Sequence, residues 1–254
     1  MSNSEISDSE ANDSEANDSE INDLQVNKQN TSEPKTSEPK TSNPKAPRPE
    51  QYAALSPTAY ADGLGREQFM EAAIRELWPQ IPRIAGPAFT VRCVPGDNLM
   101  LHAAIYRASP GDIVVVEAGS ADYAVAGGNV CAIAQRRGIA GFVIDGVIRD
   151  IAEVREARFP VFARGCIPKP GVKERLGELN VPITCGGVWV SPGDMVIADE
   201  EGIAVIPRDR LLEVWQIAKQ RTDKDAATNL DDWARSHQAR IEALLNQKGF
   251  NSEN

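Results

Sequence analysis

The chain is poor in the residues that several common chemistries require. It holds two histidines, His102 and His237, and four scattered cysteines, Cys93, Cys131, Cys166 and Cys185, with no CxxC pair. Such a set builds neither a Ser-His-Asp nor a Cys-His constellation, and it cannot close a structural zinc site. No stretch approaches the roughly 18 apolar residues of a membrane span, so no membrane partner is expected. The N-terminal segment also lacks the apolar core of a secretory signal. Thiols without a disulfide framework read as reduced and mostly buried, which points to a cytoplasmic protein. Basic residues are outnumbered, 27 against 37 acidic, and without a basic stripe no nucleic-acid partner is expected. A Gly-rich methyl-donor loop followed by a ribose-binding acid is absent as well.

Aromatic residues are missing from two repetitive stretches near the start, SEANDSEANDSEIND at 9–23 and TSEPKTSEPKTSNPK at 31–45. A segment of that composition buries too little apolar surface to offset its ordering entropy. Residues 1–50 carry 11 acidic and 5 basic side chains, a net of −6 out of the chain's −10. They read as a disordered, acidic, low-complexity tail, with a regulatory docking role as the other reading.

Residues 51–207 read as one α/β domain. Apolar spacing predicts a helix over 66–77, with Phe69, Ala73, Ile74 and Leu77 on one face and Pro79 and Pro82 after it. Strand is expected over 88–94, then the turn Pro95-Gly96-Asp97-Asn98, a helix over 99–107 and a strand over 113–117. Val161 to Arg164 reads as a further short strand. The stretch VPITCGGVWVSPGDMVIADEEGIAVIP at 181–207 alternates short strands with Gly-Gly, Pro-Gly-Asp and Glu-Gly turns, a hairpin pattern. Residues 208–254 read as a C-terminal extension of two helices, open to packing on a neighbouring subunit.

The block GGNVCAIAQRRGIAGFVIDGVIRD at 127–150 carries most of the functional information. Gly127-Gly128 opens a helix expected over 129–137. A strand over 139–144 should then end on Asp145-Gly146, with Arg149-Asp150 at the mouth of the next helix. Free N–H groups at a helix start and a guanidinium-carboxylate pair past a strand end suit a small carboxylate ligand. Arg149 would clamp a carboxylate or keto oxygen through its planar fork. Asp150 would hold a divalent metal that keeps several waters. The alternative is an ordinary helix-start acid beside an arginine. His102 reads as core or interface more readily than as catalytic, and Lys173 reads as a substrate-carboxylate contact if it acts at all.

PGDNLMLHAAI at 95–105, RRGIAGFVIDGVIRD at 136–150 and the hairpin stretch at 181–207 together resemble the RraA-like family. The resemblance runs from about Leu55 to Pro207. It implies an RraA-like swivelling β/β/α-type domain and one of two activities. The first is a class II aldolase that releases pyruvate from 4-hydroxy-4-methyl-2-oxoglutarate or 4-carboxy-4-hydroxy-2-oxoadipate, with oxaloacetate decarboxylation as a companion reaction. The second is a non-catalytic protein that binds and inhibits a ribonuclease.

Carried over by position, the resemblance makes Arg149 the contact to the pyruvyl oxygen and Asp150 the ligand of Mg2+, Mn2+ or another divalent ion. The N–H groups at Asn129 and Val130 would cradle the pyruvyl carboxylate, with Gly128 beside them in the substrate-binding set, and Lys173 would be the distal lysine. Asp62, ahead of Gly65-Arg66, would be an acid supplied by the adjacent subunit of a homotrimer or hexamer. One departure stands out. The family's aldolases carry an acid 21 residues before the arginine, where it positions a water on the metal side, and this chain has Gly128 there. Either another carboxylate such as Asp122 or Asp145 substitutes, or the chemistry differs, or the aldolase activity is absent.

Overall fold

A computed structural model describes residues 47–250. The expected disordered tail lies outside the described residues up to position 46. Its last residues do not belong to it, because Pro49 already opens a short helix, α1 (Pro49–Ala53). Proline suits a first helical position, where its missing N–H is not needed. Tyr52 anchors the helix, fully buried, with its hydroxyl donating to the carbonyl of Leu211 at 3.0 Å.

Two 3-10 turns follow, Pro57–Asp62 and Arg66–Gln68, then β1 (Arg75–Glu76) and β2 (Ile84–Arg92). The helix expected over 66–77 does not form. The N–H of Met70 donates to Ile203 and that of Glu71 to Gly186, both at 3.0 Å, while Phe69 bridges Ala204. Long-range sheet bonds have taken the groups that a helix would have used.

Next come α2 (Leu99–Ala104), β3 (Ile113–Glu117), α3 (Gly128–Arg136), β4 (Gly141–Ile148), α4 (Ile151–Glu156) and β5 (Val161–Cys166). β2, β3, β4 and β5 are mutually parallel neighbours, joined by the three helices. β4 does not end at Asp145-Gly146 as expected. It runs on to Ile148 with a shift of register between Ile144 and Val147, which keeps it paired to β5 and carries Arg149 to the end of the sheet.

The remaining strands are β6 (Glu178–Leu179), β7 (Ile183–Cys185), β8 (Val188–Val190), β9 (Met195–Asp199) and β10 (Gly202–Ile206). The first half of β2 pairs antiparallel with β9 and its second half parallel with β3. With the Phe69–Ala204 bridge, the eight-stranded sheet nearly closes on itself as a barrel.

The period-two pattern of β3 divides the core. Val114 and Val116 face α2, α3 and α4 with Phe142, Leu101 and Cys131. Ile113 and Val115 face the β7–β8 hairpin with Phe162, Ile183 and Val190. A third cluster joins α1 to α5 (Leu211–Ala227), where Val214 and Ala218 are buried. The final helix, α6 (Leu230–Gln247), buries none of its residues in the single chain. No described helix is long and apolar enough to cross a membrane.

Candidate active site

The parallel strands deliver their C-terminal ends to one rim of the sheet, where ligand clefts form in open α/β arrangements. At the end of β4 the N–H of Arg149 donates to the carbonyl of Ala126 at 3.0 Å, tying the strand exit to the start of α3. Asp150 then takes a left-handed backbone conformation, φ 58°, and begins α4. That conformation is tolerated by Asp and Asn better than by most residues. The turn sets the Asp150 carboxylate against α3. Its Oδ2 accepts the Gly128 N–H at 3.1 Å and lies 3.4 Å from Nε of Arg149.

Two glycines admit this approach. A Cβ on Gly127 would clash with Asp150 Oδ2 and come within 3.1 Å of Arg149, and a Cβ on Gly128 would clash with the carboxylate of Glu153. Gly127, the N-cap residue of α3, has no side chain to cap it. The Gly128 N–H is taken by Asp150, and the next two residues of α3, Asn129 and Val130, line the cleft. Gly128, expected among the substrate-binding residues, gives its N–H to Asp150.

Across the cleft, α2 contributes Asn98 and His102, and the segment after β5 contributes Pro170 and Lys173. Asn98 is buried, its Nδ2 at 3.5 Å from the carbonyls of Ala124 and Gly171, and its Oδ1 has no partner among the described residues. Burial pushes the His102 imidazole down to about 4, and the nearby cations Lys173 and Arg149 press in the same direction. His102 is therefore neutral at pH 7, and the fixed positive charges of the cleft are Arg149, Lys173 and the start of α3. That field favours an anion.

Arg149, Asp150, Asn129, Val130 and Lys173, named from the sequence, line one cleft. Asp62 does not line it. It ends the first 3-10 turn and pairs with Arg221 on α5 at 2.7 Å. Neither carboxylate suggested as a substitute for the missing acid at 128 reaches the site. Asp145 points to the other face of the sheet, where it pairs with Arg164 and accepts the Gly186 N–H. Asp122 is exposed and bonded to Ser120. Asn98 and His102 were not assigned to the site from the sequence. Their spacing of four on one helix, which puts both on one face, was the available signal.

A sequence model of the RraA-like family (Aldolase/RraA) matches residues 57–205. A Halalkalibacterium halodurans protein, provisionally named a 4-hydroxy-4-methyl-2-oxoglutarate aldolase, is 40% identical over 178 residues, covering 70% of this chain and 84% of its own. The 4-hydroxy-4-methyl-2-oxoglutarate aldolase of Thermus thermophilus is 36% identical over 126 residues, 49% of this chain and 76% of its own. Among solved structures, RraAS2 of Streptomyces coelicolor, described as an unusual member of the RNase ES inhibitor RraA family, aligns with a TM-score of 0.64 and 29% identity. That alignment covers 72% of this chain and 96% of the other. The family match, the relatives and the fold agree, and the chain belongs to the RraA-like family.

Proposed function

We propose that this cleft is the active site of a divalent-metal-dependent lyase that splits 4-hydroxy-4-methyl-2-oxoglutarate, or a related 4-hydroxy-2-oxo acid, to release pyruvate. The observation that carries the reading is the Arg149–Asp150 pair at the end of β4, set beside the start of α3. The names of the relatives support it. Asn129 and Val130 donate their N–H groups to the substrate's 1-carboxylate. Arg149 holds the 2-oxo oxygen and stabilises the enolate oxyanion as a base takes the 4-hydroxyl proton and the C3–C4 bond breaks; a proton returned to C3 then gives pyruvate. Lys173 meets the distal carboxylate.

Asp150 fits a hard cation. One of its oxygens accepts the Gly128 N–H, and Oδ1 has no protein partner among the described residues. No cluster of three His, Cys, Asp or Glu side chains occurs among the described residues. Mg2+ or Mn2+, which retain several waters, suits such a donor set better than zinc does. When bound, the cation supplies Lewis-acid polarisation of the 2-oxo group. Asp62 would act from a partner subunit in a homotrimer or hexamer. Oxaloacetate decarboxylation passes through the same enolate and belongs to the same proposal.

Pyruvate release, coupled to lactate dehydrogenase, tests the reading with 4-hydroxy-4-methyl-2-oxoglutarate and with oxaloacetate, in Mg2+ and then in EDTA. Metal-dependent release that drops about a hundred- to a thousandfold in Arg149→Ala is expected. Silence on both substrates from folded protein removes it. Gly128 and the likeness to RraAS2 favour a second reading, a non-catalytic protein that inhibits a ribonuclease. Retention of a ribonuclease E fragment on the immobilised chain would then be seen.

A further inference from the structure

α6 carries an apolar stripe that the single chain leaves uncovered. Leu230, Trp233, Ile241 and Leu244 are all exposed, and the helix buries none of its 18 residues. An isolated helix of that length is marginal in water, and most helices are held by packing of one apolar face. The stripe is also symmetric about its middle. Leu230 and Leu244 lie seven residues either side of His237, and Trp233 and Ile241 lie four. At about 100° per residue, all five fall within about 80° of one face. His237 stacks on Trp233 with ring centroids 4.5 Å apart, so the centre of the stripe is a flat ring surface.

This spacing reads the same from either end. An antiparallel copy of the helix meets it with Leu244 on Leu230, Ile241 on Trp233 and His237 on His237. A two-fold interface needs such self-complementarity. The charges favour the same direction. The first half of α6 carries Asp231 and Asp232 against Arg235, and the second half with its cap carries Arg240 and Lys248 against Glu242. Antiparallel pairing sets the acidic start of each helix beside the more basic end of the other and opposes their dipoles, whereas parallel pairing sets like beside like. Room for a partner exists where α5 turns into α6. Arg221, Asp225, Thr228, Leu230 and Trp233 line a cavity of about 440 Å3 there, and Leu244 of an antiparallel copy would arrive at its Leu230 wall.

We propose that α6 pairs antiparallel with α6 of a second copy of this chain, across a two-fold axis at His237. The two α5–α6 hairpins then form a four-helix bundle. Any assembly built by the α/β domain alone is thereby joined to a second one.

Light scattering on the full chain tests this. Leu244→Asp changes an exposed residue, so the fold is kept, but it places an unpaired carboxylate in the pairing face. It should halve the mass of the assembly. Disulfide trapping reads the direction, with Cys166→Ser removing the exposed thiol. Leu230→Cys co-expressed with Leu244→Cys should give a covalent dimer of the two on oxidation. Neither cysteine variant should cross-link with itself, because like positions would stand about 21 Å apart at 1.5 Å per residue. An unchanged mass in Leu244→Asp overturns the proposal. Self-cross-linking of either cysteine variant, the mark of parallel helices, does so too, as does a threefold fall in mass, the mark of a three-helix bundle.

Discussion

The buried carboxylate of Asp97 accepts the backbone N–H of Glu174 at 2.7 Å, and that of Arg175 at 2.9 Å through the same oxygen. Its other oxygen accepts the N–H of Leu99 at 2.9 Å, so one side chain ties the start of α2 to the segment that carries Lys173. Removing it leaves three N–H groups without their acceptor. Asp97→Ala should cost roughly 2–4 kcal/mol in urea unfolding, since each buried group left unsatisfied costs about 1–3 kcal/mol and some regain water. It should also raise KM for dicarboxylic substrates more than it lowers kcat. An unchanged urea midpoint would contradict this anchoring role.

The same residue contributes to acid sensitivity. Burial alone would raise its pKa, but the three N–H bonds together outweigh burial and hold it below the ordinary carboxylate value. A carboxyl depressed in the fold stabilises above its unfolded pKa of about 3.9, and that contribution is lost as pH falls through the lower folded value. Asp97→Asn should therefore flatten the stability profile below about pH 4 in acid-unfolding curves.

His102 titrates in the opposite chemical sense with the same direction for stability. With its imidazole pushed down to about 4, the unfolded chain binds the proton first. Stability from the neutral ring is complete above about pH 6.5 and declines as pH falls toward 4. With only two histidines in the chain, NMR titration of the ring protons, assigned with His237→Gln, can follow it directly. A midpoint above 6 for His102 would show that the ring is not desolvated in the cleft.

Asp150 combines a backbone requirement with a charge requirement, and two variants separate them. Asn tolerates the left-handed conformation and can still accept the Gly128 N–H. Asp150→Asn should thus melt within about 0.5 kcal/mol of the parent, in the range of a neutral surface change. Ala at φ 58° costs about 1–2 kcal/mol. Both should lose metal-dependent pyruvate release. Full activity in Asp150→Asn would refute the assignment of the cation to this carboxylate.

Gly86 tests how tightly the strand shared by both halves of the sheet is packed. A Cβ there would collide with the carbonyl oxygen of Gly111 and approach Ile113 Cγ1 at 3.2 Å. Backbone cannot swing aside as a carboxylate tip can. Gly86→Ala should cost about 1–3 kcal/mol by thermal melting, and more than Gly128→Ala, whose three nearest contacts are all with the exposed Glu153 side chain.

The sequence by itself determined those elements whose periodicity and breakers are local. The Ile-Val-Val-Val-Glu run is the strand 113–117 as expected, and Gly127-Gly128 opens α3 within a residue of the expected start. Arg149 and Asp150 were legible too, because a strand, a turn and a helix start follow one another without a break. The segment 66–77 was not. Its apolar spacing suits a helix, but Met70 and Glu71 give their N–H groups to residues more than a hundred positions later, and no local pattern reports a sheet that closes at long range. The carboxylate beside Gly128 was missed for the same reason. Asp122 and Asp145 are nearer to it in sequence, yet only the fold places α4 against α3, where Glu153, 25 residues away, meets the open face of a glycine. Which acid faces a site depends on how helices pack, and that is decided by contacts between residues far apart in the chain.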